Sequence, residues 1–74
     1  MEADEIIGIL RRQPFEPVRV HLSDGTVFEV WHPDQVMVSK RSSHVGVGGN
    51  GDRAFQRIVV VSNIHITHIE PVGG

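Results

Sequence analysis

Apolar residues open the chain at helical spacing: Ile6, Ile7, Ile9 and Leu10 fall in one stretch, led by Glu2, Asp4 and Glu5 and trailed by Arg11 and Arg12. That order of charge complements a helix dipole. Pro14 lacks a backbone N–H and disfavours helical geometry at Gln13, so a helix is predicted over about residues 2–13. Beyond Pro17 the period changes to two. Val18, Val20 and Leu22 alternate with Arg19 and His21, which predicts a half-buried strand over 18–22. Asp24-Gly25 supplies the positive φ that a tight hairpin needs. The returning strand is predicted over 26–32, with Phe28 and Val30 on one face and Val27, Glu29 and Trp31 on the other.

After the turn residues of "HPDQ", a third strand is predicted over 36–48, bent or split at Arg41-Ser42-Ser43. Residues 48–54, dense in glycine, read as a flexible loop. The strand over 56–62 carries Ile58, Val59, Val60 and Val61 in succession, so both of its faces are apolar. A domain this small has little material for a second layer, and an uncovered apolar strand at a sheet edge invites pairing with another chain. A last strand is predicted over 64–70, closed by Pro71. The expected fold is mainly β: one domain over 1–74, with an N-terminal helix followed by a strongly bent five-stranded antiparallel sheet closed into a small SH3-like barrel.

Length and composition sharpen this picture. A chain of 74 residues buries only ~60% of the surface it exposes when unfolded, so oligomerisation is an expected source of stability. Cysteine is absent, which removes disulfides and thiolate metal sites. The net charge of −2 lacks the Lys/Arg excess of a general nucleic-acid binder, so any such contact must be local. No apolar run approaches the length of a membrane span, and the acidic opening is unlike a signal peptide. The expected location is cytoplasmic, with no membrane partner.

Candidate chemistry concentrates in "SNIHITHIEP", residues 62–71. Side chains alternate in a strand, so His65 and His68 cannot both face one ion, whereas His68 and Glu70 can. Two ligands from one strand are too few for zinc, and neither a metal nor another cofactor is expected. "GGNGD", Gly48–Asp52, resembles a single unit of a calcium-binding repeat that works only in stacks. Ser42, Ser43 and His44 are adjacent, but a triad is a spatial arrangement, and no catalytic residue is assigned. Trp31 suits a hot spot; with only three Phe beside it, core or subunit interface is the expectation.

Read together, the helix ending in "LRR", the "VRVHLSDG" strand and turn, "DQVMVSK" and "VVSNIHITHIEP" resemble, in order and spacing, the bacterial Sm-like RNA chaperones, the host-factor (Hfq) family. The resemblance implies an Sm-like barrel assembled as a hexameric or heptameric ring, with strand edges paired between protomers. It also implies an RNA-contacting rim at Arg11 and Arg12, and matches Asp34 and Gln35 to the Asp-Gln that precedes the family's third strand. The family's pore motif, an aromatic residue with Lys and His, falls at Ser62, Asn63 and Ile64, which offer neither a stacking ring nor a phosphate-seeking charge.

The expected function is therefore a non-enzymatic homo-oligomer, a ring or a dimer, that meets RNA through Arg11, Arg12, Arg19, Asp34, Gln35, Lys40 and Arg41. Its subunit interface is expected at Ile58, Val60, Ile66 and His68. The competing expectation is a protein-interaction or assembly module that uses the same strand edges for a protein partner, without a nucleic-acid role.

Overall fold

The computed structural model describes residues 1–49 and 55–73. Most of the predicted glycine-rich loop, and Asp52 of the calcium-like "GGNGD", lie outside the described residues. Helix α1 (Ala3–Leu10) is followed by β1 (Val18–Leu22), β2 (Val27–Val30), β3 (Val36–Val38), β4 (Ser42–Val47), β5 (Arg57–Ser62) and β6 (Ile66–Pro71). Short 3-10 turns at Pro33–Gln35 and Asn63–His65 precede β3 and β6. The helix is shorter than the predicted span. Glu5 starts it by accepting the Glu2 N–H at 3.0 Å, and Arg11 ends it as the C-cap.

The expected single five-stranded sheet and closed barrel do not form. Among the described residues, six strands make two separate three-stranded sheets, in the orders β2-β1-β6 and β3-β4-β5, all antiparallel. Two local features divide what the sequence suggests is continuous. The Ser39 N–H and hydroxyl both donate to the Ser42 carbonyl, at 2.8 and 2.9 Å, closing a turn that splits the predicted strand 36–48 into β3 and β4. Strand β2 stops at Val30, a fully buried β-branched residue, and Pro33 then places the chain in a 3-10 turn. No strand among the described residues passes through both sheets.

The sheets and α1 share one core, built from Ile6, Val18, Val20, Val30, Val45, Val61 and Ile66. Its side chains are small and branched, as expected where two short sheets and a two-turn helix meet. The β1–β2 hairpin closes through Gly25, whose φ of 90° is the left-handed conformation that its missing Cβ permits. Thr26 donates its N–H to Asp24 Oδ1 at 2.9 Å. That backbone hydrogen bond holds the Asp24 carboxyl below its ordinary range.

Strand β6 contains a bulge. Leu22 pairs with Ile66 and His21 with His68, so Thr67 has no partner on β1. Strict alternation would place Ile66 and His68 on the same face. The extra residue reverses the parity: Ile66 and Ile69 face the core, while His68 and Glu70 face outward.

Each passage between the sheets is fixed by an amide side chain. On the way from β2 to β3, Gln35 Nε2 donates to the Glu29 and Gly46 carbonyls, both at 2.9 Å, and Gln35 Oε1 accepts the Trp31 N–H at 3.0 Å. From β5 to β6, the buried Asn63 accepts the Ser43 hydroxyl at 2.7 Å and donates to the Ser39 carbonyl at 2.9 Å. Its own N–H donates to the Arg41 carbonyl at 2.8 Å. Among the described residues no buried side-chain polar atom lacks a partner.

Removing one member of the Asn63–Ser43 pair leaves the other's polar atom buried and unpaired, at a cost of about 1–3 kcal/mol. Asn63→Ala and Ser43→Ala should each lower stability by that amount in urea titration. The double variant should cost less than the sum by at least about 0.5 kcal/mol, because the second substitution removes a group already stranded.

Candidate functional site

Strand β5 divides its four consecutive apolar residues between two environments. Val61 is buried and Val59 half-buried against the core, while Ile58 and Val60 are 68% and 60% exposed. Their cross-strand neighbours extend this outer face: Gly46 lies opposite Ile58, His44 opposite Val60, and Met37 opposite His44. Met37 is 74% exposed. Part of β4 is covered from outside by Phe55, since a Cβ at Gly46 would come 2.5 Å from that ring. Among the described residues β5 pairs only with β4, so its other edge carries unpaired backbone groups beside exposed Ile58 and Val60.

The residues expected at the subunit interface thus separate. Ile58 and Val60 stand beside the open edge, Ile66 is buried in the core at 3% exposure, and His68 lies on the outer face of the other sheet. Ile66 is unavailable to a partner in this fold. The bulge at Thr67 separates it from His68.

The expected RNA contacts are spread over the molecule. Arg11 and Arg12 follow the carboxyl end of α1. Lys40 and Arg41 occupy the β3–β4 turn, and the Arg41 carbonyl is linked through Asn63 to the nitrogen of Met1, at the other end of α1. Eight helical residues, roughly 12 Å at 1.5 Å per residue, lie between the two basic pairs. Arg19 is held by Glu29 at 3.1 Å on the outer face of β1 and β2. Asp34 is exposed on the 3-10 turn, while Gln35 spends its amide on the backbone of both sheets. Trp31 is 52% exposed, outside the core, and lines a shallow concavity with Pro17, Pro71 and Val72.

A second feature was only half visible in the sequence. On the outer face of the first sheet, one row runs Val27–His21–His68 across β2, β1 and β6, and the next runs Glu29–Arg19–Glu70. Arg19 turns to Glu29, and Glu70 meets His21 diagonally, with 3.1 Å between Oε1 and Nε2. The rings of His21 and His68 stack at 4.0 Å with 12° between their planes. Potential ligand atoms of His21, His68 and Glu70 all lie within 4.8 Å of one another. Spacing along "THIEP" finds two of these residues; the third arrives from β1 through strand register. His65 belongs elsewhere, its Nδ1 3.0 Å from the Ser23 hydroxyl in the neighbouring hairpin turn.

Compared with protein-family models, curated proteins and solved structures, the chain gives no match. No helix among the described residues is long and apolar enough to cross a membrane.

The geometry separates the roles of two adjacent residues. Gln35→Met keeps side-chain length but removes three hydrogen bonds, and should cost about 1–2 kcal/mol. In thermal unfolding that is a fall in Tm of roughly 4–16 °C. Asp34→Ala, one residue earlier and exposed, should change stability by less than about 0.5 kcal/mol.

Proposed function

We propose that this protein is a non-catalytic assembly module that joins copies of itself through the open edge of β5. The observation that carries this reading is the exposure of Ile58 and Val60 beside a strand edge with unpaired backbone. Antiparallel pairing of β5 with β5 of a second copy, with Val59 on the two-fold axis, sets Ile58 of each copy opposite Val60 of the other. Outward residues stay outward, and the two sheets join into one of six strands.

Magnitudes set the expected strength. Cross-strand pairs on one face of a sheet contribute about 0.2–1 kcal/mol each, and the outer face of the joined sheet stays in contact with water. Two Ile58–Val60 pairs, with new backbone hydrogen bonds at about 0.5–1.5 kcal/mol each, compete with an association cost of roughly 4–15 kcal/mol. Assembly should therefore depend on concentration. The small size of the domain favours it, since each added contact raises the buried fraction of a chain that buries little alone.

This reading favours assembly over RNA contact for two reasons. The net charge is −2, and two basic pairs that form no ion pair among the described residues, Arg11-Arg12 and Lys40-Arg41, sit at opposite ends of α1 rather than on one stripe. Phosphate-led binding depends on clustered cations.

Light scattering coupled to size exclusion, over a range of concentrations, tests the proposal. Dimers or larger species should appear as concentration rises, and Val60→Lys should give monomers with an unchanged far-UV spectrum. A chain that stays monomeric at every concentration overturns it. Single-stranded RNA titrated at low ionic strength supplies the other arm: tight binding that weakens with salt, in a protein whose mass Val60→Lys leaves unchanged, would assign the RNA role instead.

A further inference from the structure

We infer that His21, His68 and Glu70 form a binding site for one divalent transition-metal ion, Zn²⁺ foremost, on the outer face of the β1–β6 pair. This site lies on the opposite sheet from β5 and does not rest on the assembly reading.

Donor chemistry is the first support. Two imidazoles and one carboxylate suit borderline ions such as Zn²⁺, and three protein ligands leave a coordination position for water or another molecule. The ligands come from two paired strands, so their separation is set by the sheet and not by a loop. His21 and His68 are direct cross-strand partners, and Glu70 is two residues beyond His68 on the same face.

Distances are the second support. Donors about 2.1 Å from a tetrahedral ion are about 3.4 Å apart. His21 Nε2 and Glu70 Oε1 are already 3.1 Å apart, in a hydrogen bond whose proton the ion replaces because a carboxylate only accepts, and no two potential ligand atoms of the three residues are more than 4.8 Å apart. Stacked rings do not aim at a common point, so the imidazoles must fan apart to converge. Both residues have solvent on one side: His68 is exposed, and the His21 side chain is 25% exposed.

The bulged residue provides the third support. Thr67 Oγ1 lies 3.1 Å from the His21 carbonyl and 3.2 Å from His68 Nδ1. A hydroxyl has one proton, and a carbonyl can only accept, so that proton goes to His21. Thr67 must then accept from His68, which places the proton of a neutral ring on Nδ1 and the free lone pair on Nε2. Fixing the tautomer through the distal nitrogen is what an outer partner of a metal-bound histidine does. The same bulge that turns His68 outward therefore also prepares it as a donor. Arg19, the direct cross-strand partner of Glu70, bonds Glu29 through Nε at 3.1 Å, and among the described residues no ion pair joins it to Glu70.

Isothermal titration of the untagged, chelator-treated chain with ZnCl₂ tests the site, with far-UV spectra checking that each variant keeps its fold. The native chain should take up Zn²⁺ saturably at one ion per chain. His68→Gln and Glu70→Gln should each weaken binding at least about tenfold, and Thr67→Val by roughly 10–100-fold. His32→Gln and His44→Gln, which alter exposed histidines outside the cluster, should leave it unchanged. During titration the imidazole NMR signals of His21 and His68 should move and that of His65 should not. Absence of saturable uptake up to millimolar Zn²⁺, or uptake unaffected by His68→Gln, would overturn the site. Full affinity in Thr67→Val would overturn the assigned tautomer.

Discussion

The hydrogen bond between Ser43 Oγ and Asn63 Oδ1, 2.7 Å long and buried, fixes the point where the chain leaves one sheet for the other. Ser43 stands on the central strand of the second sheet, and Asn63 opens the 3-10 turn that delivers β6 to the first. The same side chain reaches the Ser39 carbonyl, and its backbone N–H reaches Arg41, so the β3–β4 turn is held against the β5–β6 passage. A partly satisfied group in a site this dry is expensive. The arrangement is therefore tolerant of few alternatives, and it compensates for a core made mostly of small branched side chains.

Gln35 does the same at the other passage. It follows Pro33 in a 3-10 turn, and its amide ties the end of β2 to Gly46 on β4. Two open sheets without a shared strand need such ties, because among the described residues no backbone ladder crosses from one to the other. The short turns and their amides serve where a barrel would use a long bent strand. Both Gln35 and Asn63 fall where the Sm-like resemblance placed functional motifs, and both side chains are committed to hydrogen bonds within the fold.

Much of the fold was legible in the chain. The helical spacing of Ile6, Ile9 and Leu10, the alternation in "VRVHL" and the Asp-Gly turn each mark a real element, because each is decided by local periodicity or local φ preference. What local signals do not carry is the relation between elements. "SKRSS" allows a kink or a hairpin, and only the Ser39–Ser42 bonds choose the hairpin. The division into two sheets depends on where β2 stops, and that depends on the burial of Val30 against residues distant in sequence. The candidate metal ligands divide in the same way: His68 and Glu70 follow from period two, while His21 requires the pairing of β1 with β6.

The spacing in "ITHIEP" did contain a clue to the bulge. Ile66 and Ile69 are three apart, an odd interval that an unbroken strand cannot place on one face. With only one side of the sheet covered, an exposed isoleucine at either position is costly, and an extra residue at Thr67 lets both reach the core. The consequence for function is direct. Without the bulge, either Ile66 or Ile69 faces water, and His68 lies on the same side as Ile66. With it, packing of the two isoleucines forces His68 and Glu70 outward together, so the hydrophobic demand of the core is what positions the polar group on the surface.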